Sequence, residues 1–348
     1  MSQKTTAIPV ASPRARAKLA EATALLPMDP AAAASAARRA WTWAPLDLGF
    51  IRDVVTFIGQ AGEAEMGAEL LAESETLIAK HISTLPVWRP PPVGETPLER
   101  SRELYLGLME RVVCNWIYAD GAIRGDKEVP FDQQQRNVGK DIPVVAHSMI
   151  GLQRLRHLRW AVETALAEDI PGDLMECGVW RGGAVALARA VLAAHDEKIR
   201  RVWAVDSFAG LPPPDPRFPQ DQDTGFDFHK RPELSVGLDD VRENIARYGL
   251  LDEQVVFLKG WFHESLPTLP RLKLAVLRVD GDLYSSTTDV LEVMYPNLSP
   301  GGIVILDDYG PVVDSQRAVL HFRARHGISD VMLAVDQDAV FWRKGSGA

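Results

Sequence analysis

The chain has 348 residues, of which 46% are hydrophobic and 24% charged, so it is long enough and apolar enough to bury a substantial core. Its formal net charge of −9 at pH 7 disfavours binding to nucleic acid, which requires a clustered positive surface. The sequence has no apolar run of about 18 residues, so we expect no membrane span.

The first 90 residues are predicted to form a helical region ahead of the main domain. Residues 1–20 carry four basic side chains before the first acid, which indicates a flexible basic tail. Residues 31–41 and 50–82 show helical spacing, with a turn at Gly62, in a pattern similar to degenerate tetratricopeptide repeats. Two interpretations stay open for this region, a module that binds a protein partner and a helical cap on the main domain.

A proline-rich stretch, VWRPPPVGETP at residues 87–97, marks the predicted domain boundary. Consecutive prolines cannot continue a helix and favour an extended chain. We therefore divide the sequence into the helical region, 1–90, and a second domain, 91–348.

The second domain alternates apolar strands with helical segments, which is typical of a parallel sheet covered on both faces. The predicted strands lie at 173–179, 201–207, 254–260, 274–280 and 302–308, followed by a closing pair at 331–336 and 339–344. The predicted helices lie at 183–194, 236–248, 286–295 and 314–326. The fold class is therefore α/β, a Rossmann-like doubly wound sheet that is mostly parallel and ends in an antiparallel hairpin. Such sheets bind ligands at the carboxyl ends of their strands.

The first two strand ends indicate a cofactor that contains adenosine. The first strand runs into ECGVWRGG, where Glu176 and the glycines Gly178 and Gly182 lead directly into a helix. Glycines let a ligand approach the backbone, and the start of a helix offers unpaired N–H groups. Asp206, at the end of the second strand, is placed to accept hydrogen bonds from the hydroxyls of a ribose. A plain strand-to-helix turn is the alternative.

Four aspartates follow the fourth and fifth strands. Asp280 and Asp282 end one strand, and Asp307 and Asp308 end the next. Neighbouring parallel strands lie about 4.8 Å apart, so the two pairs can converge and would repel one another unless a cation lay among them. Oxygen ligands suit a hard ion such as Mg²⁺. The alternative is that these acids cap the following helices or face solvent.

Residues 98–345 resemble the macrocin O-methyltransferase family, the metal-dependent sugar O-methyltransferases. The segments that carry the resemblance are VAHSMIGLQRL (145–155), PGDLMECGVWRGGA (171–184), VWAVDSFAGLP (202–212), RYGLLDEQVVFLKGWFHESLP (247–267), AVLRVDGDLYSST (275–287) and GGIVILDDYG (301–310). The resemblance implies the class I fold of methyltransferases that use S-adenosylmethionine.

The resemblance also implies roles for particular residues. Asp280, Asp307 and Asp308 match the Mg²⁺ ligands, and Asp282 matches the general base. Glu176, Gly178 and Gly182 would hold the methionine end of the cofactor and Asp206 its ribose. Ser148 and Met149 match a segment that closes over the cofactor. Ser207 and Trp261 match residues that lie beside its adenine.

The predicted function is therefore O-methylation of a sugar hydroxyl in a glycosylated natural product or glycan precursor, with S-adenosylmethionine and Mg²⁺. The alternatives are methylation of a catechol-like phenol, a nicotinamide dehydrogenase, and a non-catalytic binding protein. The resemblance implies a homo-oligomer. Cys114 and Cys177 lie far apart and outside any CxxC pattern, which favours a reducing compartment, the cytoplasm.

Overall fold

A computed structural model of the protein describes residues 13–41, 48–70, 82–83, 85–91, 96–125, 127–218, 221, 228–310 and 312–345. Of the predicted basic tail at 1–20, residues 1–12 lie outside this range, and from Pro13 the chain is helical. Within the described ranges, none of the helices combines the length and the apolar character that crossing a bilayer requires.

The N-terminal region includes the helices α1 (Pro13–Leu25), α2 (Pro30–Trp41) and α3 (Leu48–Gln60). Gly62, with φ +85°, forms the turn that the sequence predicted, and residues 64–70 are helical again. Buried alanines along α2 allow close packing of the helices, and larger apolar side chains of the neighbouring elements complete a small core. That core contains Ala22, Ala33, Ala34, Ala37, Ala40, Trp41, Val54, Phe57, Ile58 and Leu70.

The proline-rich stretch joins the edge of the main sheet. Val87 forms a parallel bridge with Ala334. The Trp88 N–H donates to the Ala334 carbonyl at 2.9 Å, and the Ala334 N–H donates to the Pro86 carbonyl at 2.9 Å. Upstream of it, Ile82 is buried in the core of the second domain. This stretch therefore attaches the N-terminal region to the second domain.

The second domain begins with elements that the sequence analysis did not predict. Helix α4 spans Pro97–Val113 and starts with a capping box in which Thr96 and Glu99 satisfy each other's backbone N–H groups. A three-stranded antiparallel sheet follows, with β1 (Ala122–Arg124) between β2 (Lys127–Val129) and β3 (Ile142–Pro143). Two more helices are α5 (Gln133–Asn137) and α6 (Gly151–Ala167).

The main sheet has seven strands in the order β6-β5-β4-β7-β8-β10-β9. The strands are β4 (Asp173–Cys177), β5 (Val202–Asp206), β6 (Val255–Lys259), β7 (Leu274–Val279), β8 (Leu298–Leu306), β9 (Leu333–Ala334) and β10 (Val340–Arg343). The first five are parallel, and β10 pairs antiparallel with both β8 and β9. This confirms the predicted doubly wound sheet with its antiparallel hairpin.

The helices between these strands cover both faces of the sheet. They are α7 (Gly183–Ala194), α8 (Leu238–Arg247), α9 (Phe262–Ser265), α10 (Tyr284–Met294) and α11 (Val313–Arg325). Two buried apolar clusters pack against the sheet, and all six residues of β7 are buried. Since β4, β7 and β8 are adjacent and parallel, their carboxyl ends meet at one edge.

Candidate active site

A cavity of about 690 Å³ opens at the carboxyl ends of the parallel strands. Its walls come from strand-end turns, from residues 139–150 and from the loop after β5. The predicted site residues that line it are Ser148, Met149, Glu176, Gly178, Asp206, Ser207, Trp261, Asp280, Asp282, Asp307 and Asp308. Gly182 is not in the cavity wall, because it precedes α7 with φ +88° and faces the side chain of Val241.

The turn after β4 brings the two halves of the cavity together. The Gly178 N–H donates to the Val205 carbonyl on β5, and the Asp280 N–H donates to the Cys177 carbonyl on β4. A Cβ atom at Gly178 would lie 1.8 Å from the Asp280 carbonyl oxygen, and φ here is +94°. Glycine is therefore required at this position by sterics and by backbone conformation.

Glu176 presents a buried and partly unpaired carboxylate to the cavity. Its Oε1 lies 2.5 Å from Nη1 of Arg278, whereas its Oε2 has no hydrogen-bond partner among the described residues. Burial raises the pKa of Glu176 to about 8; the charge of Arg278 opposes this rise and the charge of Asp280 adds to it. A buried acceptor without a donor is suited to a cationic ammonium group.

Asp206 is fixed by the backbone around it. One of its carboxylate oxygens accepts from the Val179 N–H at 2.7 Å, and the other accepts from the Phe208 N–H at 2.7 Å. Burial raises the pKa of Asp206 and these N–H groups oppose the rise. Each oxygen keeps lone pairs for a further donor, as ribose hydroxyls would be.

The segment that contains Ser148 crosses the start of α7. The N–H groups of His147 and Ser148 both donate to the Val113 carbonyl, and the Gly183 N–H donates to the His147 carbonyl at 2.8 Å. A Cβ atom at Gly183 would lie 2.7 Å from the Cβ atom of Ser148. The absence of a side chain at Gly183 therefore lets this segment lie directly against the helix terminus.

Three aspartates form a compact group. Asp280, Asp282 and Asp308 each offer a carboxylate oxygen, and these oxygens lie within 4.8 Å of one another. The Asp282 N–H donates to Oδ2 of Asp308 at 3.1 Å, which joins the ends of β7 and β8. Burial and the charges of Asp280 and Asp307 raise the pKa of Asp282 to about 7. Burial likewise raises the pKa values of Asp280 and Asp308.

Asp307 lies apart from that group and pairs with two arginines. Its Oδ2 accepts from Nη1 of Arg154 at 2.5 Å, and its Oδ1 lies 2.6 Å from Nη2 of Arg278. Burial opposes ionisation of Asp307, but the two positive charges outweigh burial and lower its pKa. Arg154 is also ion-paired with Asp336 at 2.9 Å and Asp338 at 2.8 Å.

The two arginines are site residues that the sequence analysis missed. Arg278 interrupts the otherwise apolar strand LAVLRV, all of which is buried. A charged residue within a buried apolar strand could have been recognised from the sequence as a candidate site residue, because a buried charge must pair with other groups inside the protein. Arg154 lies in α6 within a helix that mixes basic and apolar residues, so its burial had no comparable signal.

Backbone strain accompanies three of the strand ends that line the cavity. Trp180, Phe208 and Asp282 have φ values of +47°, +52° and +55°, in the left-handed region, which is uncommon for residues other than glycine. The Trp180 indole N–H donates to the Glu233 carbonyl at 2.9 Å. The turn after β4 is therefore tied to the loop that forms the outer wall.

That loop, residues 210–233, is partly described. Its residues 212–217 line the cavity, and Asp221 is buried and accepts from the Ser285 N–H at the start of α10. Residues 219, 220 and 222–227 lie outside the described range.

A mostly parallel seven-stranded sheet with an antiparallel β10, and a strand-end cavity with a carboxylate at the end of β5 and after each of β7 and β8, define a class I methyltransferase. Residues 109–344 match the macrocin O-methyltransferase (TylF) family, and the chain belongs to that family. The protein is an O-methyltransferase whose cofactor is S-adenosylmethionine, as the sequence predicted.

Several known proteins are similar to the second domain. The chain is 50% identical to the 8-demethyl-8-(2,3-dimethoxy-alpha-L-rhamnosyl)-tetracenomycin-C 4'-O-methyltransferase of Streptomyces olivaceus, over 70% of this chain and 94% of that protein. It is 46% identical to the mycinamicin III 3''-O-methyltransferase of Micromonospora griseorubida, over 70% of this chain and 97% of that protein. The solved structure of the O-methyltransferase NovP superposes with a TM-score of 0.67 at 43% identity, over 70% of this chain and 99% of that chain.

Proposed function

We propose that the protein methylates a hydroxyl of a sugar in a glycosylated natural product or glycan precursor, with S-adenosylmethionine as methyl donor and Mg²⁺ as a second cofactor. The observation that supports it most is one cavity in which the unpaired carboxylate oxygen of Glu176 lies near a compact group of aspartates. The printed names of two relatives, a rhamnosyl 4'-O-methyltransferase and a mycinamicin 3''-O-methyltransferase, supply the acceptor class.

The residues present fit a divalent cation. Carboxylate oxygens are the ligands that Mg²⁺ prefers, and three of them within 4.8 Å raise one another's pKa values when no cation is among them. We assign Asp280, Asp307 and Asp308 as the ligands, the set that the family resemblance implies. In the structure the compact group contains Asp282 in place of Asp307, and both oxygens of Asp307 contact arginines, so Asp307 would be shared between the cation and Arg154 and Arg278. A cation held there would lower the pKa of an acceptor hydroxyl.

Asp282 is proposed as the general base. It lies in the compact group with Asp280 and Asp308, and a cation bound there would keep its carboxylate ionised and able to accept a proton near neutral pH. Asp282 would accept the proton that the acceptor hydroxyl loses. When bound, S-adenosylmethionine supplies the methyl group as a sulfonium and becomes S-adenosylhomocysteine.

The remaining predicted residues would bind and orient the cofactor. Glu176 would accept from its ammonium group, and Gly178 and Gly182 would shape the turn beside its methionine end. Asp206 would accept from the ribose hydroxyls, while Ser207 and Trp261 would flank the adenine. Ser148 and Met149 would cover the cofactor and exclude water.

The test is turnover with matched acceptors. Purified protein, S-adenosylmethionine and Mg²⁺ are incubated with a rhamnosylated tetracenomycin that has a free 4'-hydroxyl, with mycinamicin III, and with a simple catechol. We expect S-adenosylhomocysteine and a methylated sugar with at least one glycoside and none with the catechol. Methylation of the catechol alone would contradict the sugar assignment and favour the phenol alternative.

A further inference from the structure

A single arginine contacts both the acid assigned to the cofactor and acids assigned to the metal. Arg278 is 2% exposed and is the last residue but one of β7. Its Nη1 lies 2.5 Å from Oε1 of Glu176, and its Nη2 lies 2.9 Å from Oδ2 of Asp280 and 2.6 Å from Oδ1 of Asp307. A buried guanidinium with three carboxylate partners is held in one orientation, because its planar fork fixes the direction of each contact.

Strand register explains why these contacts form. Glu176 on β4 and Arg278 on β7 are direct partners in the parallel ladder. Side chains two residues apart along a strand lie on the same face, so Asp280 follows Arg278 on the side that carries Glu176. The strand pairing thus places the guanidinium of Arg278 between Glu176, the acid assigned to the cofactor, and Asp280, an acid assigned to the metal.

We propose that Arg278 is a positioning residue that holds Glu176 and Asp280 in a fixed relation, so that one guanidinium sets the geometry of the cofactor site and of the metal site. The inference rests on the proposed function, since that function assigns Glu176 to the cofactor and Asp280 to the metal. Arg278 touches neither ligand in this account and acts through the two carboxylates.

Arg154 provides a matched control. It is also buried, and its Nη1 lies 2.5 Å from Oδ2 of Asp307. Its other contacts are with Asp336, Asp338 and the Val138 carbonyl. Both arginines therefore neutralise Asp307. Among the described residues, Arg278 contacts Glu176 and Arg154 does not.

The experiment measures the two affinities separately in R278K and R154K. Calorimetry gives the affinity for S-adenosylhomocysteine without metal, and electron paramagnetic resonance gives the affinity for Mn²⁺ without cofactor. We expect R278K to weaken both by about tenfold or more, because lysine cannot keep the several charge-assisted hydrogen bonds. We expect R154K to weaken Mn²⁺ binding and to leave the cofactor affinity within about threefold.

A double-substitution cycle separates positioning from a general loosening of the fold. If Arg278 acts through Glu176, adding R278K to E176Q causes no further loss of S-adenosylhomocysteine affinity, whereas independent effects would add. Equal weakening of cofactor binding by R278K and R154K, or additive losses in the E176Q background, would overturn the proposal.

A second pair of variants applies if R278K does not fold. D280N and D308N each remove one charge from the aspartate group, but Asp280 contacts Arg278 and Asp308 accepts from the backbone of Asp282. Without metal, we expect D280N to weaken S-adenosylhomocysteine binding by about threefold or more and D308N to leave it unchanged. Equal effects would overturn the inference. Failure of the wild type to bind Mn²⁺ would instead contradict the proposed metal site.

Discussion

Asp282, which is partly exposed, and Asp307, which is buried, follow adjacent strands, yet their surroundings favour opposite charge states. Asp307 has two arginines beside it, which lower its pKa despite burial. Asp282 has other carboxylates beside it, and with burial they raise its pKa to about 7. Residues of one type are thereby adapted to different tasks, a permanent anion and an exchangeable proton acceptor.

The role of Asp282 is tested by D282N. Loss of a general base lowers the turnover number by about 10² to 10⁴, while Mn²⁺ affinity should stay within about threefold because the ligand carboxylates remain. The measurement pairs steady-state rates with Mn²⁺ binding, with D252N as the control because Asp252 pairs with Arg189 outside the cavity. Loss of Mn²⁺ binding in D282N would place Asp282 among the ligands.

His157 is a buried neutral side chain outside the cavity. Its ring lies 5.0 Å from Trp88, 5.1 Å from Trp160 and 4.3 Å from Phe341, measured between centroids. Burial lowers the pKa of His157 to about 3. In the unfolded chain the same group has a pKa of about 6.5, so below that pH the unfolded state binds a proton that the folded state does not.

Stability should therefore fall as pH decreases through the window between the two pKa values. At pH 5 the loss attributable to His157 is about 2 kcal/mol relative to pH 8. Urea unfolding at both pH values checks this, with H157F as the comparison because phenylalanine matches the aromatic surroundings. The wild type should lose about 2 kcal/mol more than H157F over this range. Parallel pH profiles for the two proteins would show that His157 does not titrate on unfolding.

At the scale of elements, the turn after β4 decides whether the two halves of the site meet. Gly178 in this turn lies directly against the backbone of Asp280. The substitution G178A would place a Cβ atom 1.8 Å from the Asp280 carbonyl oxygen, at a φ of +94°. Gly249, with φ +69° and open space around it, is the control for backbone conformation alone. We expect G249A to lower the free energy of unfolding by about 1 kcal/mol and G178A by more than about 3 kcal/mol.

Denaturant unfolding measures both values, and calorimetry with S-adenosylhomocysteine follows the cofactor site. G178A should also weaken cofactor binding, because the strand end must move away from Asp280. If G178A and G249A lowered the free energy of unfolding equally, the close approach of the two strand ends would add no destabilisation beyond that of the backbone conformation.

The strands of the main sheet were predictable because each is a short apolar run followed by a helix. The structure confirms α7 at Gly183–Ala194 and places β4 to β7 within the predicted ranges. The fifth predicted strand begins earlier than expected, at Leu298, because a register irregularity lets the SPGG residues extend β8. The small sheet of β1 to β3 was missed, since strands of two or three residues show no alternation.

Contacts between distant segments were less accessible to sequence analysis. The converging aspartates followed from the parallel sheet, but the pairing of Asp307 with Arg154 joins residues 153 positions apart. The register of β4 and β7, which brings Arg278 beside Glu176, depends on packing of the whole sheet. Residue patterns predict that acids lie at an edge, whereas their counterions depend on the three-dimensional arrangement.

At the scale of the whole molecule, the N-terminal helices have a core of their own, and residues 85–88 carry the strand-like attachment to the main sheet. A chain shortened to begin at residue 82 should keep its S-adenosylhomocysteine affinity within about threefold, since none of the removed residues that the structure describes lines the cavity. A chain beginning at residue 92 loses Trp88 and its contacts with His157 and Trp160.

We expect this second truncation to lower the free energy of unfolding by about 3 kcal/mol or more, the usual cost of removing a packed tryptophan. Thermal unfolding and calorimetry on both shortened chains provide the measurement. Loss of cofactor binding in the chain that begins at 82 would assign the N-terminal region a part in the site. A homo-oligomer, a protein partner for this region and a cytoplasmic location stay predictions from the sequence.

The proposed function requires that one cavity combine a methyl donor with a divalent cation. The initial rate of S-adenosylhomocysteine formation on a glycoside acceptor tests this most directly, after removal of metal with EDTA and during titration with Mg²⁺. We expect no turnover in EDTA and full recovery at saturating Mg²⁺. An unchanged rate in EDTA would contradict it, because the aspartates after β7 and β8 would then act without a metal.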